Sequence, residues 1–502
     1  YLIACHHALQ SVTLRSESKV IDFCIYMLGT MQHRLSALRE LRINVSMRRE
    51  SGAYQRHYDG IRGTYVATLL ADLLEGTVHL RLLSLKSAEC WAAYEPRLVD
   101  VLSAMRHLAE IDLDVIGPNT SRCINNMQSM PRKLTFSLPP QRVARPTDPP
   151  LLQLDPQLRL PSVQYLVILN PRIHFAPKLA DLARAFPGVR NLDIRLRNGW
   201  DSRGHPAPVV EWPALQYVRG PGLSFAEWRN VTGIHLLELD CLIASRIVRG
   251  QRPTFVGGFL LPTFPATTLT AVSNVQPVAL VARTDSQLDA NFWSQFFVRS
   301  ARLRYLAVEL SDICSYRTCG IDLALWWAKV NGAIATSAIV CLEIRCPLRR
   351  DTHEQLATVG TGNTFDDVPS SEDIVFRAFP ASVPDTAPHL RYLSLNTSPD
   401  LAEGGSPWRH TFVDQENSQQ VKVSPDLRWW CFEGASHARS MRQLDAARGE
   451  QIAAHMRSVR YDCSRPFDGS TNFGVRTAAS GDELRSHPVR GNQRRPAGMP
   501  IV

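Results

Sequence analysis

One eight-residue stretch, His79 to Lys86 (His-Leu-Arg-Leu-Leu-Ser-Leu-Lys), constrains this chain most, because its L-x-x-L-x-L spacing returns along most of the sequence. With Leu80 as offset 0, apolar residues at offsets 0, 3 and 5 recur as Leu9/Val12/Leu14, Leu38/Leu41/Ile43, Leu80/Leu83/Leu85, Leu108/Ile111/Leu113, a degenerate Pro131/Leu134/Phe136, Val163/Leu166/Ile168 and Val189/Leu192/Ile194. A partial Leu215/Val218 follows, then Ile234/Leu237/Leu239, Leu303/Leu306/Val308, Ile339/Leu342/Ile344, Leu390/Leu393/Leu395 and Leu427/Trp430/Phe432. These thirteen starts lie 19 to 69 residues apart, and a further degenerate copy is expected near Leu269, in the widest gap. Apolar residues two apart turn one side of a short strand to a core, and recurrence at such intervals marks an array of similar units.

Between the triplets lie segments of helical period: Ile21, Ile25 and Leu28 with Met31 and Leu35; Val66, Leu69, Leu70, Leu73 and Leu74; Leu98, Val101, Leu102 and Met105; Leu179, Leu182 and Phe186; Phe292, Phe296 and Phe297. A strand followed by an amphipathic helix cannot bury its apolar side alone. Stacking such units in parallel yields an α/β fold with one core between a strand layer and a helix layer. Parallel strands sit about 4.8 Å apart and packed helices about 8 to 10 Å, so the strand side is expected to be concave. The array is expected over residues 1–462, with a Pro-rich loop at 139–161 and an acidic insert at 361–388. Residues 463–502, rich in Gly, Pro and Arg without apolar period, read as a flexible basic tail.

Composition bounds the partners. At 44% hydrophobic over 502 residues the chain is globular, and 56 basic against 47 acidic residues is a mild excess for that length. Offsets 4 and 6 mix basic residues such as Arg42, Lys86 and Arg195 with acidic ones such as Asp112, Asp193, Glu238 and Glu343. A nucleic-acid groove would be basic with few carboxylates, so no nucleic-acid partner is expected. The longest uncharged run, between Arg252 and Arg283, is broken by Pro253, Pro262, Pro265 and Pro277, which argues against a membrane helix. Eleven cysteines without a C-x-x-C pair fit reduced thiols and a cytoplasmic or nuclear location.

Strands of the form Leu-Arg-x-Leu-x-Leu, as in Pro388-His389-Leu390-Arg391-Tyr392-Leu393-Ser394-Leu395, and the passage Phe186-Pro187-Gly188-Val189-Arg190-Asn191-Leu192, resemble leucine-rich repeat proteins. More narrowly, the chain looks like the repeat region of the fungal F-box family over roughly residues 1–460. That resemblance implies an irregular leucine-rich repeat solenoid, a horseshoe arc with a parallel concave sheet and helices on the convex side. It also implies substrate recognition for a ubiquitin ligase, with a cullin-type ligase core as partner only if an F-box lies upstream of Tyr1; none is visible in the sequence. A repeat scaffold unconnected to ubiquitin is the alternative. The family's Asn or Cys at offset 8, which bonds free backbone groups in the turn, is replaced here by residues such as Ala88, Ile116, Pro171 and Ser398. Those amides must find other partners.

Two columns point to binding. Offset 2 carries Tyr165, Tyr217, Tyr305, Tyr392 and Trp429, an aromatic stripe of the kind that anchors a protein substrate on a concave face, or that simply covers the sheet by ring-on-ring packing. Offset 1 carries Arg39, Arg81, Arg132, Arg190, Arg304, Arg391 and Arg428, a basic rim suited to an acidic or phosphorylated partner unless the guanidiniums pair locally.

Signs of chemistry are weaker. Cys314-x4-Cys319 and Cys341-x4-Cys346 lie at the loose edge of zinc-ligand spacing, and His6-His7 has no matching ligands, so neither a metal nor a cofactor is expected. A nucleophile elbow, a Walker loop, a dinucleotide fingerprint and H-E-x-x-H are all missing from the sequence. No enzyme activity is expected; a nucleophilic Cys314 or Cys463 is the remaining alternative.

Overall fold

The computed structural model describes residues 10–46, 55–137, 153–169, 179–195, 212–220, 225, 228, 233–243, 262–263, 265–311, 323–346, 371–397, 427–434 and 439–463. Within them the chain is α/β and builds one mostly parallel sheet of 16 strands. The first nine are β1 (Ser11–Leu14), β2 (Glu40–Ile43), β3 (Leu82–Leu85), β4 (Glu110–Asp114), β5 (Lys133–Ser137), β6 (Tyr165–Leu169), β7 (Asn191–Arg195), β8 (Tyr217–Gly220) and β9 (Leu236–Ile243). They pair in chain order, and the short β10 (Pro262–Thr263) hangs off β9. The sheet continues from β9 through β11 (Ala279–Asp285), β12 (Tyr305–Ser311), β13 (Cys341–Arg345) and β14 (Tyr392–Asn396) to β15 (Leu427–Glu433) and β16 (Ser440–Leu444).

The apolar triplets explain the register. Leu41, Leu83, Ile111, Leu134, Leu166, Leu192, Val218, Leu237, Leu280, Leu306, Leu342 and Leu393 face one another from strand to strand as one unbroken row at offset 3. The offset-5 row runs beside it through Ile43, Leu85, Leu113, Phe136, Ile168 and Ile194. Both rows belong to a single buried core. A one-residue slip would turn every one of these side chains out of that core, so the register is strongly specified.

The same core holds the helices α1 (Glu17–Gly29), α2 (Gln55–Gly76), α3 (Ala88–Tyr94), α4 (Arg97–Ala104), α5 (Pro118–Asn125), α6 (Leu179–Ala185), α7 (Pro265–Val275), α8 (Ala290–Arg299), α9 (Leu323–Ala335) and α10 (Ser371–Thr386). Its most aromatic region is Phe292, Trp293, Phe296 and Phe297 of α8 against Trp326 of α9, with Trp293 and Trp326 edge to face at 5.9 Å. The helical periods around Ile21, Val66, Leu98, Leu179 and Phe292 all fall on helices.

Main-chain bonds fix the spacing at the start of each strand. The offset-1 carbonyls of Gln10, Arg39, Arg81, Ala109, Arg132, Gln164, Arg190, Gln216, His235, Val278, Arg304 and Val340 each accept two N–H groups at the start of the next strand, at 2.7–3.2 Å. Past the strand ends, Asn44, Lys86, Ile116, Ser286 and Cys346 donate their amides to Leu14, Ile43, Ser137, Ser311 and Asn396. Neighbouring main chain thus satisfies these five amides without an Asn or Cys column.

Four expectations are corrected. Leu269 lies in α7, and the strand filling the widest gap is β11. Leu427/Trp430/Phe432 is no further parallel rung: β15 pairs antiparallel with β14 and with β16. The insert at 361–388 contains α10, which buries Phe379 and Val383 in the core. One helix, α11 (Ala446–Arg457), lies on the side of the sheet away from α1–α10. The first triplet residue Leu9, most of the 139–161 loop, Cys314, Cys319 and residues 464–502 lie outside the described residues.

Candidate functional site

Offsets 2, 4 and 6 share the second face of the sheet, because side chains alternate along a strand. That face divides in two. From β2 to β7 it is partly open: Glu40, Leu82, Glu110, Asp112, Lys133, Thr135, Tyr165, Val167, Leu169 and Asn191 are half-buried and Arg42 is exposed, while Ser84, Ser137 and Asp193 are buried. From β9 to β14 it is nearly closed: Leu236, Glu238, Ala279, Val281, Tyr305, Ala307, Glu309, Cys341, Glu343, Arg345, Tyr392 and Ser394 are buried and Arg283 is half-buried.

Part of the cover is α11. Asp445 caps its start by accepting the Arg448 amide at 3.2 Å, and Ile452, Ala453 and Met456 turn inward. Gly449 meets Trp429 so closely that a Cβ would sit 2.1 Å from the indole Cγ; only glycine lets the helix come down there. The Arg457 guanidinium lies 5.6 Å from the centre of the Tyr305 ring, a cation–π contact. At the far end His235 Nε2 stands 2.9 Å from the Met456 carbonyl, which can only accept, so Nε2 carries the proton.

Beneath the helix sits a buried charge cluster. Arg345 donates to Glu343 at 2.9 Å, Tyr305 donates its phenolic hydrogen to the same carboxylate, and Arg457 pairs with Glu450 at 3.7 Å. Burial pushes the Glu343 carboxyl up, but Arg345, Arg457 and the Tyr305 hydroxyl outweigh it and hold the group below its usual range, hence ionised. Burial, then the charge of Glu343, push Glu450 the other way. A second string of charges crosses β7 to β9, where Arg195 holds Asp193 at 2.5 Å, Arg219 holds Glu238 at 3.2 Å and Tyr217 donates to Glu238 at 2.8 Å. Arg283 and Glu309 pair across β11 and β12 at 2.5 Å.

The aromatic column is therefore split. Tyr165 and Tyr217 are half-buried, Tyr217 being tied to Glu238, while Tyr305, Tyr392 and Trp429 are closed off beneath the chain's own structure. Those three form a second small core and are not open to a partner in this conformation.

The arginine column splits as well. Arg39 donates to the Ser36 and His79 carbonyls, Arg304 to those of Ala301 and Leu303, and Arg391 to that of Gly434. Arg81, Arg132 and Arg190 are exposed and have no ion-pair partner among the described residues. Arg428 leaves the rim: with β15 reversed it faces Leu395, at the opposite end of β14 from Arg391. Beside Arg81 the starts of β2, β3 and β4 leave an open cavity of about 450 Å³, lined by Gln10, Arg39, Glu40, Arg81, Leu82, Ala109 and Glu110. Sequence reasoning missed α11 altogether, since Ala446–Arg457 carries few large apolar residues to signal a buried side.

No group of His, Cys, Asp and Glu among the described residues is arranged to hold a metal ion. Burial pushes the thiols of Cys24 and Cys346 up to about 12 and that of Cys123 to about 11, the reverse of nucleophile activation. No described helix is long and apolar enough to cross a membrane. No protein-family model matches the chain, and no curated protein is similar to it.

Proposed function

We propose that this chain is a protein-binding module of leucine-rich-repeat type whose working surface is the open part of the second sheet face, over β2–β7, together with the adjoining arginine rim. The observation that carries this reading is the contrast along one sheet. The same face is mostly buried from β9 onward, and over β2–β7 most of its side chains are only half-buried, with Tyr165, Val167 and Leu169 presented from a parallel ladder. Rigid sheets that expose aromatic and aliphatic side chains beside charged ones suit protein partners. Burial raises the thiols of Cys24, Cys123 and Cys346, away from nucleophile activation.

A role as the substrate-recognition part of a ubiquitin ligase adaptor rests on the resemblance of the strand motifs alone. Co-purification of a cullin-type ligase core with the product of the full gene tests it.

The binding face is tested by placing a photo-reactive amino acid at Tyr165 and, in a second variant, at Leu325, which is exposed on α9. A discrete crosslinked protein is expected from Tyr165 and not from Leu325. The same products from both positions would remove the face from consideration.

A further inference from the structure

The three exposed rim arginines stand on every second rung. The shared-carbonyl ladder runs Arg81, Ala109, Arg132, Gln164, Arg190, so β3, β5 and β7 each present a guanidinium, and β4 and β6 place Ala and Gln between them. At about 4.8 Å per parallel strand, successive arginine roots lie about 10 Å apart. Bonds of 2.7–3.1 Å pin every step of that interval, so the roots cannot drift.

The carboxylates nearest this row are already matched. Glu110 pairs with Lys133 at 3.5 Å, and Glu40 accepts from Ser11 at 2.9 Å and pairs with Arg42 at 3.8 Å. Arg106 is exposed at the same end of the sheet, which leaves the row with an excess of positive charge. Guanidiniums bind carboxylates through parallel N–H donors, and three at a fixed interval select for spacing as well as for charge.

Among extended backbones the interval favours one. A polyproline-II segment has three residues per turn and rises about 3.1 Å per residue, so residues i, i+3 and i+6 point the same way at steps of about 9 Å. A β-strand puts i and i+3 on opposite sides, and its same-side steps of about 7 Å fall out of phase with the rim. We infer that Arg81, Arg132 and Arg190 form a docking rim for an extended acidic peptide segment carrying Asp or Glu at every third residue. This inference rests on the reading of the chain as a binding module and names the partner class of one edge of that surface.

The probe is a labelled peptide with Asp at positions i, i+3 and i+6 separated by Pro and Ala, titrated into the full chain by fluorescence anisotropy at low and at physiological salt. Saturable binding is expected, weakened by salt and reduced about tenfold or more in the Arg132→Gln/Arg190→Gln double variant. All three side chains are exposed and without ion-pair partners among the described residues, so circular dichroism should be unchanged in that variant. A control peptide with its three Asp residues two apart should bind more weakly. No binding, equal binding to both spacings, or equal binding by the double variant would overturn the inference. So would binding confined to a phosphoserine version of the peptide. A negative peptide result with a positive Tyr165 crosslink would reject the rim and leave the binding face standing.

Discussion

Arg457 of α11 and Tyr305 of the sheet meet with the guanidinium 5.6 Å from the ring centre, and both are buried. The contact joins residues 152 positions apart and turns an aromatic stripe into the floor of a second core.

The charge beneath this contact is expected to be costly to remove from one side only. Glu343→Ala leaves Arg345 and Arg457 buried beside a missing carboxylate and should destabilise the fold by about 3–5 kcal/mol, read as a lowered denaturation midpoint in urea. A loss below about 1 kcal/mol would show that the cluster is solvated in solution.

Cys341 reports on the docking of α11. Burial pushes its thiol well above the ordinary range, so native protein should label slowly at pH 8 at this position. Gly449→Ala, which drives a methyl into the Trp429 ring, should cost about 1–3 kcal/mol and speed that labelling. Asp445→Ala, which removes the helix cap, should do the same more gently, by about 1 kcal/mol. An unchanged Cys341 rate in both variants would mean that α11 does not shield it.

Acid should weaken the same region. Burial holds the His235 imidazole below its usual value, the Met456 carbonyl opposes that, and the charges of Arg302 and His455 lower it further. Burial also lowers His455. When the folded-state pKa lies below the unfolded one, the unfolded chain takes the proton first. The stability is therefore complete above about pH 6.5 and is lost as pH falls from there, by no more than about 1.4 kcal/mol per pH unit for each histidine. Urea melts from pH 7.5 to 5 should show this slope, and His235→Leu should flatten it.

The leucine rows should behave as one core. Leu306→Ala, at a position 1% exposed between Leu280 and Leu342, should cost about 2–5 kcal/mol by denaturant titration. Leu325→Ala, at an exposed position of α9, should cost far less.

The strand layer was largely legible in the sequence because offsets 3 and 5 must be apolar for a strand to reach the core, and that demand repeats. β11 escaped because Pro277 and Ala282 stand where larger aliphatic residues mark the other strands, leaving Leu280 alone to signal it. Strand direction was not legible either: Leu427/Trp430/Phe432 satisfies the apolar pattern equally well on a reversed strand, which carried Arg428 off the rim. Offset 2 places the aromatic column on one side of the sheet, but burial of Tyr305, Tyr392 and Trp429 was not legible. Alternation tells which side Tyr305, Tyr392 and Trp429 leave the strand, while part of their cover comes from a helix that meets Trp429 through Gly449 and Tyr305 through Arg457.

The reversal at β15 also limits how such a chain can grow. Parallel pairs need evenly slanted bonds and antiparallel pairs perpendicular ones, so a duplicated strand–helix unit finds matching geometry on both sides only between two parallel neighbours. Copies inserted in the interior lengthen the ladder at little cost, whereas copies added after β14 meet a hairpin that already occupies its edge. Longer and shorter versions of this architecture are then expected to differ in their middles and to keep the same terminal hairpin.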